Sequence, residues 1–258
     1  MTDMLFSSGA SGEMPVPSQI VNTRPISFTS HSIYRIQCNA KTQTRRVMYP
    51  QPKVPGPIEA RADKTNSWAA EDGCQTWRCP YGMPGDRLYV REMWAMVEPY
   101  PSTVEKYELP LAWHVQKSAA LQQYWRKRII YYADYPAKQP EECGRGASDN
   151  RWRSPVTMPR WASRLLLEVT DIGVERVQEI SAEDAIAEGV ETAEHERQQR
   201  GDLSFGPLGW INYGPPRSYN FETPQGAYAS LWDSINGNKN PWAANPWVWR
   251  VAFRVLEG

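Results

Sequence analysis

The chain has 258 residues, 41% hydrophobic and 22% charged, and its 29 basic residues balance 29 acidic ones. This globular composition suits one large domain or two small ones, and zero net charge excludes a protein that coats polyanions with its whole surface. No apolar run reaches bilayer length, and four cysteines are too few for a disulfide scaffold.

Residues 1–23, rich in Ser, Gly and Pro, have too little apolar surface to offset ordering entropy and are expected to be a disordered tail. They lack the basic head and apolar stretch of a secretory signal, so a cytoplasmic location with reduced thiols is expected. Residues 24–258 then read as a single domain. Pro25–Thr29 is a short strand candidate, and His31–Cys38 suits a helix ending at Asn39, a residue that tolerates left-handed geometry. Thr42–Met48 reads as extended up to the Pro50-Gln51-Pro52 stop. Pro84-Gly85-Asp86 turns into a strand over Arg87–Arg91, and Leu165–Val169 repeats its alternation. Ser181 with Asp184 three residues on forms a capping signature, and Gly189 supplies an exit, which predicts a helix over Ala182–Glu188. Tyr228, Leu231, Trp232 and Ile235 recur at helical spacing until Asn236-Gly237. In the last strand, Trp247, Trp249, Val251, Phe253 and Val255 share one face, and Arg250 and Arg254 the other.

Strands scattered among a few short helices, without regular alternation, favour an α+β fold or a small β-barrel over a doubly wound sheet. Three stretches, at about 51–83, 99–159 and 192–223, read as long loop insertions that wall a site. Charge is segregated: Leu121–Arg164 holds nine Lys or Arg against four acids, and Leu165–Arg200 three against ten. Within the basic part, Tyr124-Trp125-Arg126-Lys127-Arg128 and Arg151-Trp152-Arg153 interleave cations with aromatics. That composition either grips phosphates while stacking on bases or snorkels over buried tryptophans.

Asn39–Arg46 gathers an amine, two threonine hydroxyls and two guanidinia just after a helix exit. Such a cluster can bind an anion or activate a hydroxyl. Strand periodicity sends Lys41 and Thr44 to opposite faces, so they converge only if Lys41 still belongs to the turn. Glu188, in the last turn of its helix, faces the negative dipole end, a placement disfavoured by up to about 1 kcal/mol. Cys74 and Cys79, with His114 and Cys143, are spaced too widely for a standard zinc set, and His31, His114 and His195 accompany no nucleophile motif. No glycine-rich phosphate loop is present. Neither a metal nor a cofactor is expected.

Three segments in order, Ile36–Arg46, Pro84–Glu92 and Ile180–Gly189, together resemble the ASCH domain, a family of PUA-like β-barrels. Its motif Gly-x-Lys-x-x-[Glu/Thr]-x-Arg is matched by Lys41, Thr44 and Arg46, with Asn39 standing where the motif has glycine. Met158–Arg164 and Leu231–Gly237 through Trp249 are similar to the large phage- and prophage-type members, whose setting is the cytoplasm of an infected or lysogenic bacterial host. The resemblance covers about 100 core residues, one domain's worth. It implies a small mixed β-barrel with flanking short helices and long insertions. It also implies the amidohydrolase activity of the small bacterial members that deacetylate N4-acetylcytidine, with Lys41, Thr44 and Glu188 as the catalytic set. These supply the base, nucleophile and proton donor that amide hydrolysis requires. Arg45, Arg46, Arg91, Arg160 and Trp161 are the expected substrate-binding residues, Trp161 as a stacking platform between Arg160 and Arg164. The expected partner is a modified nucleoside or nucleic acid. A non-catalytic module that binds RNA, DNA or a modified base, and a ribonuclease, are the alternative readings.

Overall fold

The computed structural model describes residues 21–54, 56–60, 67–70, 73, 75–96, 129–134, 151–192, 209–213 and 218–256. In chain order these form β1 (Thr23–Ser27), α1 (Ser30–Gln37), β2 (Gln43–Val47), β3 (Ile58–Ala60), β4 (Ser67–Ala70), β5 (Thr76–Arg78), β6 (Arg87–Arg91), β7 (Trp94–Met96), β8 (Ile129–Tyr131), β9 (Leu166–Arg176), α2 (Ala182–Ala187), β10 (Trp210–Asn212), β11 (Ser218–Phe221), α3 (Pro224–Asn236) and β12 (Trp247–Leu256). The architecture is α+β, dominated by sheet.

The main sheet has strand order β1-β6-β9-β12-β2. The β1–β6 pairing is parallel and the other three are antiparallel. Its spine is β9 against β12, in register from Trp247 opposite Arg176 to Leu256 opposite Leu166, with a bulge between Ala252 and Phe253. The strand expected over Leu165–Val169 thus continues to Arg176, although its in-and-out alternation stops at Val169. The added length is held by cross-strand charge pairs on the polar face, such as Arg250 to Asp171 at 2.8 Å. Backbone pairing among the described residues leaves the sheet open, with β1 and β2 as its edges. One side chain spans the gap: Arg46 Nη2 on β2 donates to the Ser27 carbonyl on β1 at 2.6 Å. The sheet is therefore curled until its two edges stand within an arginine's reach.

Apolar alternation decides what the sheet buries. Leu88, Val90, Leu167, Val169, Val251 and Phe253 fill one face together with Ile33 and Ile36 of α1. Each such side chain contributes about 1.5–3 kcal/mol by leaving water. On the other side, Val248 joins Val177, Ala185 of α2, and Ala227, Tyr228, Leu231 and Trp232 of α3 in a second core. A third groups Trp94 and Met96 with Ile129, Met158, Trp161 and Ala162.

The described parts of the three insertions include short paired strands. In 51–83, β3, β4 and β5 form an antiparallel sheet. Its Trp68 meets Trp249 edge-on, ring centroids 4.9 Å apart, so these tryptophans belong to the core. In 99–159, β8 pairs with β7, and in 192–223, β10 pairs with β11. These short strands escape pattern reading because three or four residues show no measurable period. Helix α3 starts a turn earlier than its apolar spacing indicates, with Thr223 Oγ1 accepting from the Gly226 amide at 3.2 Å and Pro224 at the first position. The first strand ends at Ser27, and Thr29 instead caps α1 by accepting from Ser32 N at 3.3 Å. β1 begins at Thr23, the last residue assigned to the tail.

Candidate active site

Two helix exits build the site. Helix α1 ends at Cys38, and Asn39 follows at φ +55°, the left-handed geometry for which asparagine is a low-cost substitute for glycine. The turn is closed by Ala40 N and Lys41 N, both donating to the Arg35 carbonyl, at 2.8 and 3.1 Å. Lys41 therefore lies in the turn, β2 begins two residues later, and Lys41 and Thr44 line the same cavity. The second exit belongs to α2, capped by Ser181 accepting from Asp184 N at 3.0 Å. Glu188 is its C-cap and Gly189 follows at φ +89°. A Cβ at Gly189 would stand 3.1 Å from Lys41 Cβ and 3.2 Å from Arg35 Cβ, so both the backbone and the close approach of the two exits require glycine there.

The exits meet at one ion pair. Lys41 Nζ donates to Glu188 Oε2 at 2.6 Å and to the Glu188 carbonyl at 2.7 Å. Both residues are buried, 4% and 5% exposed. This contact resolves the oddity of an acid at a helix C-terminus: the ammonium neutralises the carboxylate and satisfies a terminal carbonyl in one stroke. Glu188 Oε1 faces Arg45 Nη1 and the Tyr228 hydroxyl, each at 3.4 Å. Arg45 also donates through Nε to Glu175 at 2.6 Å and through Nη2 to Asp184 at 2.7 Å, and Gln43 Nε2 donates to the other Asp184 oxygen at 2.9 Å. Its guanidinium is thus consumed by acids.

Burial pushes the Lys41 amine below the ordinary lysine value, although Glu188 opposes the shift. For Arg45, burial works against the charge, but Glu188, Tyr228, Glu175 and Asp184 hold the guanidinium above its ordinary value. Burial, reinforced by the Glu188 charge, raises the Tyr228 phenol well above its usual range, so it stays a neutral donor. Burial also raises Glu175, with Arg45 opposing.

The cavity is about 610 Å³, in the range of small-molecule pockets, and its wall includes Phe28, Lys41, Thr44, Arg46, Glu188 and Tyr228. Thr44 is only 4% exposed, and its hydroxyl has no hydrogen-bond partner among the described residues. No hydrogen bond joins it to Lys41 or Glu188. Arg46 packs over the Phe28 ring at 4.9 Å, and Lys41 stands 6.0 Å from the same ring.

Three expected substrate contacts lie elsewhere. Arg91 donates to its neighbour Tyr89's hydroxyl at 2.8 Å and packs over that ring, away from the cavity wall. Trp161, 6% exposed, is spent in the third core, and Arg160 is an exposed residue of the same 3-10 turn. Packing claimed the indole because a large apolar surface lay beside it. Arg153 and Trp152 take the snorkelling option, Arg153 over the Trp94 ring at 5.0 Å and Trp152 edge-on to Tyr132. Tyr124–Arg128 lie outside the described residues, as do Cys74, His114, Cys143 and His195. Cys79 is buried, with its thiol pushed up to about 12 by desolvation, and among the described residues no three metal-ligating side chains cluster.

Tyr228, Glu175 and Asp184 are site residues that motif reading passed over. Tyr228 counted as one apolar position of α3, yet a buried tyrosine's hydroxyl needs a partner, and that requirement was the available signal. No described helix is long and apolar enough to cross a membrane. Compared with models of protein families, with curated proteins and with solved structures, the chain matches none.

Proposed function

We propose that the chain is a hydrolase of ASCH type that removes an acyl group from the exocyclic amine of a modified cytosine nucleoside or related base. The observation that carries this reading is the convergence on one cavity of Lys41, Thr44 and Glu188, whose closest pair is 147 positions apart in sequence and 2.6 Å apart in space. The near approach of the β1 and β2 edges supports a PUA-like barrel.

The chemistry follows from the pair. The mechanism starts with proton transfer from Lys41 to Glu188 across their contact, which yields the neutral amine and the carboxylic acid that the two roles require. The Lys41 amine takes the Thr44 hydroxyl proton as Thr44 Oγ1 attacks the acyl carbon. When the C–N bond breaks, Glu188 protonates the departing amine and an acyl-threonine ester remains. Lys41 then returns its proton to Glu188 across their contact, water adds to the ester with Lys41 again taking the proton, and that proton passes to Thr44 Oγ1 as the carboxylic acid is released. Tyr228 and Arg45 keep Glu188 oriented from the opposite oxygen.

Mass spectrometry of wild type and Lys41→Ala with N4-acetylcytidine, its deoxy form and acetylated oligonucleotides tests the reading. Cytidine or deoxycytidine formed by wild type alone is expected. Equal turnover by Lys41→Ala overturns the mechanism, and no turnover of any substrate replaces it with a module that binds a modified base. Chain cleavage without base modification identifies a ribonuclease.

A further inference from the structure

We propose that the cavity holds a phosphoryl subsite at Arg46, so that its ligand is a nucleotide rather than a bare nucleoside. The inference deepens the proposed function and rests on it for the position of the base. Of the three cations in the cavity wall, Lys41 is neutralised by Glu188, and Arg45 by Glu175, Asp184 and Glu188. Arg46 has no carboxylate partner among the described residues. A guanidinium carries five N–H donors, and the hydrogen bond of Arg46 to the Ser27 carbonyl uses one. That bond and the Phe28 ring clamp the group in place, which pre-organises it for a planar or tetrahedral oxyanion.

The surroundings favour the same ligand. Thr29 and Ser30, the cap and first residue of the eight-residue α1, line the cavity, and Phe28, under the Arg46 guanidinium, immediately precedes them. A helix's first N–H groups have no acceptor within the helix and turn toward anions. Independently, the nine-tenths-buried Thr44 presents an unpartnered hydroxyl to this cavity, which marks its wall as made for a polar ligand. Thr44 and Arg46 are two residues apart on β2, hence about 7 Å apart and on one face. A ligand that reacts at Thr44 and is held at Arg46 must carry an anionic group apart from its reacting amide, as a nucleotide does with its base amine and phosphate at opposite ends. The cavity, at about 610 Å³, is far larger than a lone anion needs.

Calorimetric titration of the full chain with CMP, cytidine and oligocytidylate tests the subsite without requiring turnover. CMP is expected to bind at least tenfold tighter than cytidine, a difference of about 1.4 kcal/mol. The preference should shrink as salt rises, and Arg46→Gln should bring CMP down to cytidine's affinity while Arg46→Lys keeps part of the gap. Oligocytidylate binding tighter than CMP assigns the phosphate to a polymer backbone, and the reverse order assigns it to a free nucleotide; either supports the subsite. Equal affinities of CMP and cytidine for wild type, or no binding of either, overturn it. CMP preference in a protein that leaves N4-acetylcytidine and its 5′-phosphate intact keeps the subsite and removes the amidohydrolase, so the two readings fail separately.

Discussion

Replacing Glu188 by glutamine isolates the energetics of the buried pair. The substitution keeps shape and leaves the Lys41 ammonium, 4% exposed, without its countercharge, whereas Arg45 retains Glu175 and Asp184. Breaking one side of such a pair costs about 3–5 kcal/mol. Lys41 has an escape, because it can fold as the neutral amine. Against an ordinary lysine value of 10.5, that release costs about 5 kcal/mol at pH 7 and about 2 kcal/mol at pH 9. In Glu188→Gln the unfolded chain binds a proton at Lys41 up to pH 10.5 that the native state lacks, so stability rises with pH. Urea unfolding at both pH values should show a deficit of about 3–5 kcal/mol at pH 7 that narrows to about 2 kcal/mol at pH 9. Adding Lys41→Met should restore much of the loss, since replacing both partners leaves no buried charge. A deficit that is the same at both pH values, or a double variant no more stable than Glu188→Gln, would refute the claim that burial dominates Lys41.

Thr44→Val should leave stability within about 1 kcal/mol, because the hydroxyl has no partner among the described residues, yet cut deacylation about a thousandfold if Thr44 is the nucleophile; calorimetry beside a turnover assay checks both. Gly189→Ala should cost about 2 kcal/mol or more in denaturant unfolding, from the left-handed backbone and the contacts with Lys41 and Arg35. Arg164 holds Glu92, 2% exposed, through both its oxygens at 2.8 and 2.9 Å, and burial already raises that carboxyl. In Arg164→Met the native state keeps a Glu92 proton that the unfolded chain releases above about 4.5, so stability falls as pH rises; the loss should grow from about 1 kcal/mol at pH 5 to about 3–5 kcal/mol at pH 7.5 in urea titrations.

How much was legible varied with the range of the forces involved. The Lys41 turn condition could be written down in advance because it needs only strand period and one left-handed residue, and Asn39 supplied that residue. Glu188 carried a readable anomaly, a carboxylate at the wrong end of a helix, but its partner was not readable from spacing. Trp161 between two arginines had the right chemistry for stacking and was placed in a core instead, with Met158 and Trp94. Arg91, named with it as a substrate contact, is engaged by the tyrosine two residues before it.

The amino-acid sequence by itself determined the local pieces: the Ser181 cap, the left-handed exits at Asn39 and Gly189, and the alternation of the closing strand. Each depends on residues a few positions apart, where backbone sterics and periodicity decide. Only the tertiary structure decided that Glu188 closes on Lys41, that Glu175 and Asp184 consume Arg45, and that Arg46 is left with unspent donors. Those outcomes belong to sheet register and helix packing, which bring distant charges together inside a low-dielectric interior. There each ion must find a partner, shed its charge or await a ligand.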